Sequence, residues 1–327
     1  MLLALALAAQ AGVSAPAARP CAMAPADRRW IETGIARWRA AQRDLLKQPP
    51  HALPTIIAVD ARCTYTARSA RSGWRWPGRP HGGTMRFANG VAQPVGPISF
   101  AAPDPAQPSG GFFAMSLPLV WRAAGVTSEL GLERLMDGVL LHESMHARQF
   151  YFVNPAMEAW ERRWGKDAGA SDDAVQERFK GDPAYHAAFE AERDTLFRAA
   201  AAPTDAEART LAADALRLMR ARRVRFFTGA DAKWLLLDDL FLQMEGLGQW
   251  LAYAWYVSPR GAALPPATVL PAVRRGGKFW TQDEGLALML TVDRLVPGWQ
   301  RDAFAARPLL AEALLAKAAT ARSAPSR

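Results

Sequence analysis

Cysteine, histidine and tyrosine are scarce in this 327-residue chain, at two, five and five residues. An even pair of cysteines, Cys21 and Cys63, is the pattern of a single disulfide in an oxidising compartment. Such a bridge would tie the N-terminal segment to "TIIAVDARCTYTA" at 55–67. Long apolar runs are also missing. Nothing past the N-terminus stays apolar for the roughly 18 residues a membrane helix needs, so no transmembrane segment is expected in the mature chain. There is no internal repeat, and no low-complexity tract beyond the Ser/Ala-rich tail. Acidic residues are outnumbered, 31 against 40 basic ones, for a formal charge of +9. The basic excess gathers in "RSARSGWRWPGRP" (68–80) and "RLMRARRVRFF" (217–227). Trp74 and Trp76 interleave with Arg as in a single-strand binder. A solvated loop and a solvated helix face explain both stretches more simply, and no nucleic-acid partner is expected.

The first twenty residues, "MLLALALAAQAGVSAPAARP", lack both a basic start and a lipobox, since Cys21 follows Ala18-Arg19-Pro20. Their apolar run, Leu2 to Val13, is too short to span a bilayer and meets small-residue cleavage sites at Val13-Ser14-Ala15 or Ala15-Pro16-Ala17. Residues 1–17 therefore read as an export signal and 21–327 as one domain, secreted or periplasmic. Hydrophobic and charged fractions of 50% and 22% are those of an ordinary globular protein.

Patterning divides the domain at about residue 125. Trp30, Ile31, Ile35, Trp38, Leu45 and Leu46 recur at helical spacing until Pro49-Pro50. Residues 55–120 carry β and turn signals. "GGFFAMSLPLVW" (110–121) reads as a short edge strand because of Pro118. From 126 onward the chain reads as helix. A first one is capped by Thr127 or Ser128 and stopped near Phe152 by Asn154-Pro155. Others cover 183–201, a segment after the capping box Thr204-Asp205-Ala206-Glu207, 231–256, 282–295 after Thr281-Gln282-Asp283-Glu284, and 307–321. The fold class is α+β, predominantly helical, with a small sheet ahead of the first long helix.

That helix holds the one motif with specific chemistry, "VLLHESMHARQF" at 139–150. Residues four apart stack on one helix face, so His142 and His146 project side by side and can share one zinc ion at about 2.0–2.1 Å. Glu143 lies about 100° round the helix, placed to handle the proton of an attacking water. A catalytic zinc takes three protein ligands. An HExxHxxGxxH site is excluded, because Gln149 and Phe152 occupy the required Gly and His positions. A carboxylate is left.

Two acids compete for that place. Glu190, in "YHAAFEAERDTLFRAA" (185–200), has Asp194 four residues on and on the same face, where it could orient a ligating imidazole. Glu245, in "LQMEGLGQWLAYAWY" (242–256), is followed by Gly246 and Gly248. Each glycine costs about 1 kcal/mol against Ala inside a helix, so either close helix packing or approach to the metal site should require it. Tyr253 is the favoured oxyanion donor, and the strand at 110–121 a place for an extended peptide to pair.

The motif and the FEAERD segment resemble the gluzincin metallopeptidases, whose HExxH is joined by a Glu from a later helix with Asp four residues on. FEAERD is similar to the matching segment of the CAAX prenyl proteases, which are multi-span membrane enzymes, unlike this chain. The Glu-Gly pair at 245–246 also resembles the third-ligand segment of some gluzincins. The resemblance implies a zincin-like fold and a zinc peptidase acting on a peptide or protein. It assigns His142, His146 and Glu190 as ligands, Glu143 as base and Asp194 as support, with Glu245 as the alternative ligand. A non-catalytic exported zinc-binding protein and a cell-wall peptide amidase fit the same residues.

Overall fold

A computed structural model describes residues 20–49, 51–70, 73–166 and 168–321; the expected export signal lies outside them. The chain opens with α1 (Pro25–Asp44), followed by β1 (Thr55–Val59) and β2 (Cys63–Thr66). The short strands β3 (Arg68–Ala70) and β4 (Gly73–Arg75) pair with each other, β5 (Gly78–Pro80) follows, and β6 (Thr84–Arg86) pairs with β7 (Ala92–Pro94). Then come β8 (Ser99–Asp104), β9 (Gln107–Ser116), α2 (Pro118–Ala123) and α3 (Leu132–Trp164). The helical remainder comprises α4 (Ala174–Phe179), α5 (Pro183–Ala201), α6 (Asp205–Phe226), α7 (Trp234–Val257), α8 (Pro266–Arg274), α9 (Trp280–Leu295), α10 (Gln300–Ala303) and α11 (Ala311–Thr320). None of the described helices is long and apolar enough to cross a membrane.

The main sheet has the order β5-β2-β1-β9-β8, with β1 and β9 parallel and the other pairs antiparallel. This corrects one expectation. The 110–121 segment is not an edge: β9 lies between β1 and β8, and Pro118 opens α2, where its missing N–H costs nothing. The edge beside it is β8, which carries its own proline, Pro103. One side of the sheet packs on α1 and α3 through Ile31, Ile35, Ile56, Phe113, Met115 and Leu140. The disulfide forms, Cys21 to Cys63, with Cα atoms 6.0 Å apart. Closing that loop is worth about 4 kcal/mol by chain entropy.

α3 starts later and ends later than its sequence suggests. Its N-cap is Gly131, at φ 84°, and the Ser128 hydroxyl accepts the Leu130 N–H one turn earlier. Asn154-Pro155 does not stop it. Interior proline costs about 3 kcal/mol, which the packing beyond it offsets. Trp160 is buried, donates its indole N–H to the Lys233 carbonyl at 2.8 Å, and joins Phe179, Phe189, Phe227 and Trp234 in one cluster.

α7 runs antiparallel along α3, sharing the cleft with β8. The Tyr256 hydroxyl donates to the Arg134 carbonyl at 2.6 Å at one end, and Gln149 donates to the Met244 carbonyl at 3.4 Å further along. α9 backs α7, crossing it where Gly246 meets Gly285: a Cβ on Gly246 would lie 2.6 Å from the Gly285 carbonyl oxygen. The capping box at 204–207 holds, with Thr204 accepting the Glu207 N–H. The one at 281–284 does not, because the Thr281 hydroxyl donates to Asp172 and α9 already begins at Trp280.

The second arginine stretch is only partly a solvated face: Arg217, Arg220 and Arg225 are exposed, and two others turn inward. Arg222 and Arg223 on α6 are 2% and 5% exposed. Arg222 meets Glu192 at 2.7 Å, the Tyr185 hydroxyl at 2.7 Å, Asp238 at 3.1 Å and Glu284 at 3.4 Å. Arg223 meets Asp238 at 2.8 Å, Glu312 at 2.7 Å and Asp239 at 3.2 Å. One buried charge network thus ties α5, α6, α7, α9 and α11 together beneath the helix that faces α3.

Candidate metal centre

α3 contributes His142, Glu143 and His146, and α7 contributes Glu245. The two imidazoles stand edge to face, 4.3 Å between centroids, as the four-residue spacing requires. Glu245 spans them: its Oε2 is 3.1 Å from His142 Nε2 and its Oε1 is 3.1 Å from His146 Nε2. His142, His146 and Glu245 are 8%, 5% and 3% exposed. Each offers one ligand atom, and all three atoms lie within 4.8 Å of one another.

The set fits a divalent cation. Bonds of about 2.0–2.1 Å in a tetrahedron place ligand atoms roughly 3.3 Å apart, close to the 3.1 Å between Glu245 and each ring. Two ring nitrogens and a carboxylate are also the donor types zinc takes. The electrostatics agree. Burial alone would raise the Glu245 carboxyl, but His146 and His142 hold it well below the ordinary range. Burial likewise pushes His146 down, and Glu245 reverses that, lifting it to about 9. Without a metal the pair rests as an imidazolium against a carboxylate; a bound cation would displace the His146 proton and take its place beside the anionic Glu245.

His146 is oriented by Gln149, which the metal-ligand pattern itself does not require. Its Nδ1 is 3.2 Å from Gln149 Oε1, and Gln149, fully buried, donates in turn to the carbonyl of Met244, next to Glu245. Nε2 of His146 is thereby turned towards Glu245. Gln149 lies three residues past His146, one turn along the same face, and that spacing was the available signal.

The glycines of α7 divide the two explanations between them. Gly246 serves helix packing against Gly285, whereas Gly248 serves the site: a Cβ there would sit 2.7 Å from His142 Nδ1.

Glu190 and Asp194 are not brought to the rings. α5 turns Tyr185, Phe189, Glu192, Thr195 and Leu196 inward. Glu190 is left half-exposed beside His186 at 3.4 Å and Arg193 at 3.6 Å, and Asp194 pairs with Arg193 at the surface. Glu192, about 200° round the same helix from Glu190, pairs with Arg222. The part of the gluzincin resemblance carried by FEAERD is therefore not matched by the structure. Tyr253 does not line the cleft either; it packs against the helical core. Eight residues advance a helix by about 80°, whereas the eleven from Glu245 to Tyr256 advance it by about 20°. Tyr256 accordingly does line the cleft, but its hydroxyl is committed to the Arg134 carbonyl.

The triad lies on the floor of a cleft of about 840 Å³. Glu143, 7% exposed, lines the same cleft. Burial raises its pKa, offset in part by His146, His142 and a hydrogen bond from Ser99 of β8. Set against family models, curated proteins and solved structures, the chain matches none of them.

Proposed function

We propose that this chain is an exported zinc-dependent hydrolase that cleaves peptide bonds, with His142, His146 and Glu245 as ligands and Glu143 as general base. The observation that carries the reading is the carboxylate of Glu245 meeting both imidazole Nε2 atoms at 3.1 Å on the floor of an open cleft. When bound, zinc supplies a Lewis acid that acidifies water and polarises a carbonyl. Glu143 accepts the proton of the attacking water and delivers it to the leaving amine; its raised pKa suits both halves of that transfer. Ser99 holds the Glu143 carboxylate, and Gln149 holds the His146 ring. A peptide is favoured as substrate because β8, an edge strand of the described sheet, lines the cleft beside Glu143 and offers its free side to an extended backbone. The disulfide and the N-terminal apolar run support export.

Elemental analysis and turnover of a peptide library test the reading together. Purified protein should carry about one zinc per chain. Glu143→Gln should keep the metal and lose about 10²–10⁴-fold in kcat. Glu245→Ala and His142→Ala should lose both metal and turnover, while Glu190→Ala should keep both. Full activity in Glu143→Gln would sink the mechanism, and wild-type zinc content in Glu245→Ala would sink the ligand set.

A further inference from the structure

The cleft follows α3 well beyond the metal centre in both directions, and its two arms differ in charge. Leu135, Gly138 and Val139 line it on the N-terminal side of His142, and Val153, Met157 and Glu161 on the C-terminal side of His146. At about 1.5 Å per residue the second arm extends some 22 Å past His146, room for about six residues of extended chain. That arm carries Glu158, Glu161 and Asp172. Asp172 is close enough to the centre to feel Glu245 and His146. Glu161 and Asp172 have no cationic partner among the described ion pairs, and Glu158 has only Arg162, 3.9 Å away and at the surface. The first arm carries the only Lys or Arg among the cleft's described lining residues, Arg275. Arg275 directly follows α8, whose Ala272 and Val273 line that end of the cleft with Tyr256, and among the described ion pairs it has none. Its backbone is left-handed, φ 50° and ψ 39°, a conformation that costs a non-glycine residue about 1 kcal/mol or more. That conformation ends α8 as its C-cap, with the Arg275 N–H bonded to the Pro271 carbonyl.

On a protein with net charge +9, an arm carrying three carboxylates, two of them without a cationic partner among the described ion pairs, runs against the overall bias. Carboxylates along a groove that shares the metal centre's floor concentrate cations there. Resting on the hydrolase reading above, we infer that the cleft selects cationic polypeptides, binding Lys or Arg side chains along the arm of Glu158, Glu161 and Asp172, with Arg275 repelling them from the other arm. The complementarity also sets direction. A peptide basic on one side of the scissile bond has one favourable orientation.

The test uses the full metal-loaded protein and fluorogenic peptides that share a central sequence and carry Lys, Gln or Glu on one flank or the other. Mass spectrometry locates the cut. Lys on one flank should raise kcat/KM over Glu by on the order of tenfold, and added salt should shrink that ratio. The double variant Glu161→Gln/Asp172→Asn should reduce the Lys-to-Glu ratio towards one, and Arg275→Glu should extend the Lys preference to the opposite flank. Cleavage that ignores flank charge, or a ratio unmoved in the double variant, overturns the inference and leaves the hydrolase reading standing. If no peptide is cut, the hydrolase reading fails. Fluorescence anisotropy with the same peptides then decides the charge selection, since equal binding of the Lys and Glu forms overturns it.

Discussion

Gly248→Ala sets two physical effects against each other. Inside a helix the substitution should stabilise by about 1 kcal/mol, because alanine loses less backbone entropy than glycine. The structure opposes this. The new methyl would lie 2.7 Å from Nδ1, 2.8 Å from Cε1 and 2.9 Å from Cγ of His142, against the ring rather than at its edge. Ordinary contact needs about 3.5 Å or more, so ring or helix must give way by roughly 0.8 Å. The ring is buried, and overpacking of this kind costs about 1–3 kcal/mol, which cancels or exceeds the propensity gain. Metal ligation is stricter, since ligand distances hold to about ±0.2 Å. The expected result is a melting temperature equal to or a few degrees below wild type for the metal-free protein. Zinc affinity, measured by competition with a chromogenic chelator, should fall at least about tenfold, the lower end of what supporting-residue changes cost. Gly246→Ala provides the contrast, because its methyl meets the Gly285 backbone and should cost stability more than ring position. A Gly248→Ala protein about 2 °C more stable with unchanged zinc affinity would refute the argument, showing that the glycine serves nothing at the ring.

Two further outcomes are expected. Arg222→Ala leaves Glu192, Asp238 and Glu284 buried around a missing cation and should cost about 3–5 kcal/mol in urea denaturation; a loss under about 1 kcal/mol would show that the network adds little. Although its side chain reaches solvent, its place in the cleft wall pushes Asp172 up to about 6, with Glu245 and Asp173 acting the same way and His146 opposing. It is charged above that pH and neutral below. The Lys-over-Glu preference should therefore decline as pH falls through about 6, and Asp172→Asn should flatten that step; a preference that rises on acidification contradicts the assignment.

What the sequence determined by itself is what lies within one helix. The four-residue spacing of His142 and His146 forces both rings to one face, and Glu143 a third of a turn away follows from the same geometry. α5 has the bounds its pattern indicates, 183–201, because Asp182, Pro183 and the apolar period all act over a few residues. The α+β division and the disulfide were legible for similar reasons, from turn composition and from an even pair of cysteines.

Tertiary structure decided which face of each helix turns inward. Glu190 and Glu245 both sit on amphipathic stretches, and nothing within either stretch says which one meets α3. The choice belongs to packing: Phe189 and Glu192 take the inner face of α5, while Gly246 and Gly248 let α7 settle between α9 and the His142 ring. The same holds for β9, whose partners β1 and β8 lie on either side of it, and for Arg222 and Arg223, whose burial depends on carboxylates from four other helices. A periodic pattern fixes directions relative to a local axis, and only the docking of one axis on another determines where those directions converge.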